Sequence, residues 1–465
     1  MRIIDKDDIN PTYNRDLFYI CENYVNSDES RVLTITGLRR LGKTTILKTI
    51  NNKYSNSTMI TLDNMDTTEN ILDFIEENLN KYDIFLIDEI CLTQEVFNNC
   101  QIIFDYLINH RKKAIITGTY NLSILYLEKD QSYGRTINYT LSPLTYLEFI
   151  NIYGKKGDNY LEYINFTDFS DTNEEDYIES IIENISLSYN KYVNYNSTSD
   201  LFSKNKIKFY ILLILFKMVM QNDIKLINIV KAEGISKFNK INEEVVDYFR
   251  IKSDYYDDII IGEFNLIIEN LTSLQIIKNI PSLYGSNIEK NLILNYVLKR
   301  YIYNIIESKL NNTELKSYKM THYGLFYENI MNMQVSIYSE HTFDQFYYKN
   351  NIEEIDDIIM IDNELIFIDY KSGAIQPNYI FTNNIDKLKN ISRTMYNCSF
   401  KELYVGGQLN SKDNIKNDLD FLQELRSKYI GKFKTDKTKI SNTSINLFNW
   451  EWYICLKKEL THLKK

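Results

Sequence analysis

RVLTITGLRRLGKTTILKT, Arg31–Thr49, decides how the rest of the chain is read. Its first part, Arg31–Thr36, is a short apolar run with β-branched residues, the pattern of a buried strand. Gly37-Leu38-Arg39-Arg40-Leu41-Gly42-Lys43-Thr44 follows with the spacing G-x-x-x-x-G-K-[ST], and Ile46, Leu47 and Ile50 then recur at helical intervals. Glycines let a loop between strand and helix turn its N–H groups inward around an anion, and the positive end of the helix adds its field there. In that geometry Gly37, Leu38, Arg39, Arg40, Leu41, Gly42, Lys43, Thr44 and Thr45 form a phosphate cradle. Lys43 reaches the β- and γ-phosphates of ATP, and the Thr44 hydroxyl holds Mg2+. A plain glycine turn with a chance Lys-Thr is the competing reading. The matched motif between the right elements favours nucleotide binding.

Outward from this stretch, a leading strand or loop and a helix over Arg15–Asn26 come before it. After it, Thr58–Leu62 reads as a strand, and Thr67–Leu79 as an amphipathic helix with Ile71, Phe74, Ile75 and Leu79 on one face. Asp83–Glu89 is an apolar strand ending in Asp88 and Glu89. Behind a phosphate loop, such a pair supplies Asp88 to orient Mg2+ and its waters and Glu89 to polarise the attacking water. Two solvated acids at a strand end are the alternative. Asn80-Lys81-Tyr82-Asp83 spells the guanine-reading N-K-x-D, but it precedes the Asp88 strand, so ATP is preferred to GTP. Lys113–Thr119 is a further strand, after which Thr119 or Asn121 is a candidate γ-phosphate sensor; a simple strand-to-helix turn serves equally well.

A chain of 465 residues is too long for one ordinary core, so two or three domains are expected. With 44% hydrophobic and 25% charged residues it belongs with globular rather than disordered chains. A net charge of −10 argues against a whole-surface grip on nucleic acid and leaves a local basic channel open. The five cysteines are scattered without a C-x-x-C pair, which points away from zinc or a disulfide framework and toward a reducing compartment. The charged N-terminus has no secretory core. Ile207–Met220 is the most apolar run, but it is short of a span and carries Lys208 and Lys217. A cytoplasmic protein without a membrane partner is expected.

Residues 150–200 read as a polar, acidic helical lid with loops. Helical segments then run through Leu201–Val230, Asn242–Arg250 and Glu263–Leu271, with a short strand at Leu274–Ile280. That order suits a winged helix-turn-helix, although Glu263–Asn270 is not a basic recognition helix, and a packing role is as good a reading as DNA contact. Further on, Gly324–Asn329 opens a helix containing Glu328. Glu354–Ile361 and Leu365–Lys371 read as two strands joined by the turn Asp362-Asn363. Alternation puts Asp369 and Lys371 on one face, and antiparallel pairing brings Asp356 near them. Two carboxylates in that arrangement can hold Mg2+ while Lys371 steadies an activated water or phosphate charge, and Glu328 completes the set. The alternative is the same fold kept for binding, with Asp356 and Lys371 as a solvated pair.

Several segments together carry a resemblance: GLRRLGKTT, LIDEI, ITGTYNLSI, GRTINYTLSPLTYLEF and YGLFYEN. They resemble a family of predicted AAA-type P-loop ATPases of bacteria and archaea whose C-terminal domain, of unknown function, is similar to restriction endonucleases of PD-(D/E)XK type. The family shows G-R, a strand, then P-L-S-[FY]-x-E-F; Thr145 replaces its serine here. The resemblance implies that Arg135 is a candidate γ-phosphate sensor or arginine finger, with an ordinary strand arginine as the alternative. It also maps the family's E-[IV]-D-x and [IV]-E-V-K onto Glu354–Asp357 and Ile368–Lys371, with Asp369 where Glu is usual. Asp356 and Asp357 stay undistinguished as the metal ligand.

The expected architecture is α/β: a RecA/AAA-like P-loop NTPase core over 1–150, a helical lid and winged helix over 151–290, and an α+β nuclease-like domain over 291–465. The expected activity is ATP hydrolysis with Mg2+, coupled to handling of DNA or RNA, with Mg2+-dependent cleavage by the last domain left open. Two rivals stand beside it. One is an ATP-gated interaction or signalling switch whose inactive nuclease-like domain binds a protein partner. The other is a small-molecule kinase, which the water-activating pair Asp88-Glu89 disfavours. Oligomeric state stays open.

Overall fold

Val32–Thr36 (β2), Ser57–Thr61 (β3), Ile84–Asp88 (β4), Lys113–Thr117 (β5) and Thr136–Thr140 (β6) pair in parallel, and Arg2–Ile3 (β1) adds an antiparallel edge. The order is β1-β3-β4-β5-β2-β6. This computed structural model describes residues 1–4, 6, 15–38, 41–118, 134–153, 176, 178–183, 185–186, 204–220, 261–282, 289–295, 298–299, 301–302, 304, 332–338, 344–349, 354–361, 364–375, 399–409, 416–417 and 445–449. Every residue of β2 and β4 is buried, as strands covered on both faces require. One face is packed by Thr68–Asn78 (α3) and Gln94–Asn109 (α4), with Ile71, Phe74, Ile103 and Leu107 against Phe85, Ile87 and Ile116. Alternation leaves Leu33, Ile35, Leu86 and Ile115 for the other face, where Lys43–Lys53 (α2) lies with Asp16–Val25 (α1) beside it. Thr67 and Thr93 cap α3 and α4 by accepting from the N–H groups of Asn70 and Val96. This is a mixed α/β domain with a parallel-sheet core, consistent with a P-loop NTPase fold.

Beyond Tyr146–Tyr153 (α5), the apolar segment Lys204–Met220 (α6) is buried almost all round and packs against Ile261–Ser273 (α7). Among the described residues no helix is long and apolar enough to cross a membrane. After α7 the chain forms an antiparallel hairpin, Ile277–Pro281 (β7) with Glu289–Ile293 (β8). Pro281 ends β7, and the hairpin straddles the division at residue 290 drawn from the sequence. A second sheet holds Asp344–Lys349 (β9), Glu354–Ile361 (β10), Glu364–Ile375 (β11), Ser399–Leu409 (β12), Lys416–Asn417 (β13) and Ile445–Asn449 (β14), in the order β13-β14-β12-β11-β10-β9. Its first three strands are an antiparallel meander, and β12, β13 and β14 join in parallel. The helix 332–338 bridges hairpin and second sheet, with Met333 and Ile337 packed among Ile280, Leu292 and Tyr347.

Candidate functional site

β5 lies between β2, which runs into the Gly37 loop, and β4, which ends at Asp88. Parallel strands therefore deliver the glycine loop and the acid pair to one edge of the sheet, a strand apart. Gly37 has φ +133° and a side chain there would meet the Leu141 carbonyl at 2.6 Å, so only glycine fits. Gly42 has φ +98° and sits directly before α2. Lys43 opens that helix, is buried, and donates to the carbonyls of Gly37 at 2.8 Å and Leu38 at 2.9 Å. Thr44 and Thr45 are exposed at the same end. Arg39 and Arg40 lie outside the described residues, and Leu38 is buried in the helical core formed with α6 and α7.

Thr44 Oγ1 donates to Asp88 Oδ2 at 2.8 Å, so hydroxyl and carboxylate already face one another. Two hard oxygens at a phosphate loop are a donor set that suits Mg2+. Glu89 follows at φ +61°, an uncommon backbone for a residue with a side chain. Its N–H donates to Thr117 Oγ1 at 3.2 Å, while the Thr117 hydroxyl itself donates to Asp88 Oδ1. Thr117, at the end of the intervening strand, thus bonds both the Asp88 carboxylate and the Glu89 backbone. Sequence reading looked two and four residues further on, to Thr119 and Asn121, which lie outside the described residues.

Arg135 takes a different place from the one its motif suggested. Its carbonyl accepts from Val32 N–H at 2.8 Å, at the start of β2, and its Nε donates to Asp105 Oδ1 at 2.5 Å. The Gly37–Lys43 loop leaves the other end of β2, roughly 16 Å away for a five-residue strand. Arg135 therefore sits at the strand end opposite the Gly37–Lys43 loop of its own chain. Asp83, of the N-K-x-D string, sits on the same far edge, paired with Lys112 at 2.8 Å.

The SPLTYLEF segment builds a buried polar network that the sequence did not reveal. Thr145 Oγ1 accepts from Glu148 N–H at 3.3 Å, and Glu148 Oε2 accepts from Thr145 N–H at 2.8 Å. This is a capping box for α5, in which Ser and Thr are interchangeable. The other oxygen, Oε1, accepts from Arg15 Nε and from Asp16 N–H, each at 2.8 Å. Burial pushes the Glu148 carboxyl up, but the Arg15 charge and these hydrogen bonds outweigh it and hold its pKa below the usual range. Arg15 also donates to the carbonyls of Leu41 at 2.9 Å and Ser142 at 2.8 Å.

In the second sheet, Asp357 pairs with Ile368 across β10 and β11, so Asp356 and Asp369 each stand one residue beyond that pair. Lys371 follows two places along β11, and Glu328 lies outside the described residues. The register of β10 against β9 shifts between Ile355 and Ile358, which makes Asp356 and Asp357 the bulged residues. Asp357 is fully buried and accepts from Gln345 Nε2 at 2.8 and 2.9 Å. Burial pushes its pKa up to about 7, against the pull of Gln345, Lys290 and Lys278. Asp356 faces Lys290, whose Nζ is 3.8 Å from Oδ1. Among the described residues no group of three or more His, Cys, Asp or Glu side chains converges as a metal centre.

A family model described as an AAA domain matches residues 29–150. No curated protein matches the chain. Similar solved structures include C. elegans PCH-2, at 14% identity over 55% of this chain and 65% of that one, with a TM-score of 0.20. A DNA polymerase III gamma subunit-related protein of Thermotoga maritima is 13% identical over 66% of this chain and 98% of that one, with a TM-score of 0.24. Drosophila ORC bound to AT-rich DNA and Cdc6 is 10% identical over 62% of this chain and 93% of that one, with a TM-score of 0.21. These superpositions are loose.

Proposed function

We propose that the chain is an AAA-type ATPase that binds and hydrolyses ATP, and that its second sheet belongs to a nuclease-like domain through which turnover is coupled to DNA or RNA. The observation that carries the first half is Thr44 Oγ1 2.8 Å from Asp88 Oδ2, with the Lys43 loop and Glu89 at the same sheet edge. Lys43 exchanges the Gly37 and Leu38 carbonyls for phosphate oxygens and stabilises the charge on them. Thr44 and Asp88 are the residues that would hold Mg2+, which when bound neutralises charge on the phosphates. Glu89 orients the attacking water, and Thr117 fixes both acids from β5. For Arg135, paired with Asp105 on the far edge, the remaining roles are an ordinary strand arginine or a finger reaching a neighbouring copy.

The nuclease-like half is supported by an antiparallel meander continued by parallel strands, and by Asp356 and Asp369 at adjoining positions with Lys371 two residues on. A second reading has its own support: Lys290, buried, stands 3.8 Å from Asp356, where it competes with any divalent cation. In that case the domain binds a partner and the ATPase acts as a switch.

The test is ATP hydrolysis by the full chain with and without DNA or RNA, with the nucleic acid run on a gel from the same tubes. Lys43→Ala is expected to abolish turnover and Glu89→Gln to slow it by about 10²–10⁴-fold while leaving nucleotide binding intact. Unchanged turnover in both variants sinks the ATPase reading. Stimulated hydrolysis with Mg2+-dependent cleavage that Lys371→Ala removes selects the nuclease, and hydrolysis indifferent to nucleic acid selects the switch.

A further inference from the structure

The Leu41 carbonyl belongs to the phosphate loop, one residue before Gly42 and two before Lys43, and Arg15 Nη1 holds it at 2.9 Å. Arg15 comes from the residue preceding α1 and is itself buried. Its Nε is fixed by Glu148 at 2.8 Å, and Nη2 by the Ser142 carbonyl at 2.8 Å. A guanidinium with each nitrogen engaged has a set orientation, so it couples the Leu41 carbonyl to Glu148 and Ser142.

The same cluster reaches the far part of the chain. Thr145 and Tyr338 hydroxyls lie 2.7 Å apart, and Tyr338 donates to Asp16 Oδ2 at 3.2 Å. The Tyr338 hydroxyl thus lies between the two residues that Glu148 binds through their N–H groups. Tyr338 is the last described residue of the helix 332–338, and two residues earlier Ser336 Oγ donates to Gln345 Oε1 at 2.9 Å. Gln345 in turn holds the Asp357 carboxyl. Hydrogen bonds and the helix 332–338 therefore run without a break from the phosphate loop to the acidic bulge of the second sheet.

Resting on the ATPase reading above, we infer that Arg15, held by Glu148, is a positioning residue for the phosphate loop. Tyr338 ties this clamp to the helix 332–338, so that nucleotide in the loop and the second sheet each bias the other. Nucleotide binding draws the Lys43 ammonium away from the Gly37 and Leu38 carbonyls, two bonds that tie the start of the loop to the start of α2, and their loss frees the loop to resettle. A shift at Leu41 is felt by Arg15, and through Glu148 and Thr145 by Tyr338. Linkage requires the reverse effect to be equal in free energy.

The test uses the full chain, a fluorescent mant-ADP to read binding, and amide exchange with and without MgADP. In wild type, MgADP is expected to slow exchange in 332–338 and in β9. Tyr338→Phe keeps the ring and loses the hydroxyl; it is expected to bind mant-ADP within about threefold of wild type yet lose that slowing. Arg15→Lys keeps the charge and loses the fork, and it is expected to weaken mant-ADP and raise the KM for ATP by about tenfold, with kcat less affected. A merely structural Arg15 would lower thermal stability without that split. If wild type binds mant-ADP and exchange in 332–338 and β9 does not change, the linkage is overturned while the ATPase reading stands. The same holds if Tyr338→Phe keeps the wild-type response. If wild type binds no nucleotide, both readings fall.

Discussion

Glu89 adopts φ +61° with its N–H tied to Thr117, while the neighbouring Asp88 carboxyl takes the Thr117 hydroxyl. A left-handed backbone at a residue with a side chain costs on the order of 1–2 kcal/mol and persists where its surroundings hold it. Here the Thr117 hydroxyl at the end of β5 fastens it together with backbone bonds, Ile90 N–H to the Thr117 carbonyl and Leu92 N–H to the Glu89 carbonyl, each at 2.9 Å. Thr117→Val keeps the shape and burial and removes that hydroxyl, so its effect belongs to the acids. The expected outcome is a fall in kcat of about ten- to a hundredfold with KM for ATP little changed, and recovery in Thr117→Ser. Steady-state ATPase kinetics of the three proteins decide it. At this scale the sequence was most legible where the candidate residues stand in short consecutive runs. Gly37, Gly42, Lys43, Thr44, Asp88 and Glu89 all converge on one sheet edge, because a strand–loop–helix unit folds around its own neighbours. Thr117 escaped notice because an apolar strand ending in threonine is common, and only pairing with β4 gives it a task.

Elements were legible when their periodicity was complete within a dozen residues. Expected segments such as Thr67–Leu79 and Thr58–Leu62 became α3 and β3 within a residue or so at each end. What periodicity could not give is the partner of an element's end. T-x-x-E in SPLTYLEF is visible as letters, and as a capping box it concerns only α5. Its second task, holding Arg15, joins residues 133 apart in the chain. Arg135 shows the opposite case, since G-R ahead of a strand places the arginine at that strand's start but leaves open whether the strand runs parallel to β2, and so which sheet edge it reaches. A pH prediction follows from Glu148. Its pKa is held below the unfolded value of 4.5, so its contribution to stability is complete above that value and is lost as pH falls through the folded one. Glu148→Gln leaves Arg15 buried without its counter-charge, at a cost of about 3–5 kcal/mol. The melting-temperature gap between wild type and Glu148→Gln should be wide and flat from pH 7 to pH 5, and should narrow below about pH 4.5. A gap that stays constant to pH 3 would mean that the carboxylate charge contributes nothing.

Across the whole molecule, the hairpin after α7 turns its lysines inward rather than toward a DNA groove. Lys290 Nζ donates to the Asp356 carbonyl at 3.2 Å and stands 5.0 Å from the Tyr347 ring centroid, and Lys278 donates to the Ser336 carbonyl at 3.2 Å. No property of the sequence near residue 290 announces that docking, because it is decided by a sheet whose strands begin more than fifty residues later. It bears on the one question that divides the two readings of the second sheet. A buried ammonium 3.8 Å from Asp356 is itself a counter-cation, and removing it should expose the carboxylate's preference. Lys290→Met alone should destabilise the chain by about 3–5 kcal/mol, because it strands a buried charge. Adding Asp356→Asn should restore much of that loss, giving a coupling of about 0.5–3 kcal/mol in a double-mutant cycle. Mn2+ binding by Lys290→Met, followed by electron paramagnetic resonance, then separates the readings. If the carboxylates form a metal centre, Mn2+ binds tighter than to wild type, restores the lost stability, and is abolished by Asp369→Asn. If the domain only binds a partner, Mn2+ neither associates nor rescues, and the Lys290–Asp356 pair is a structural rivet between hairpin and sheet.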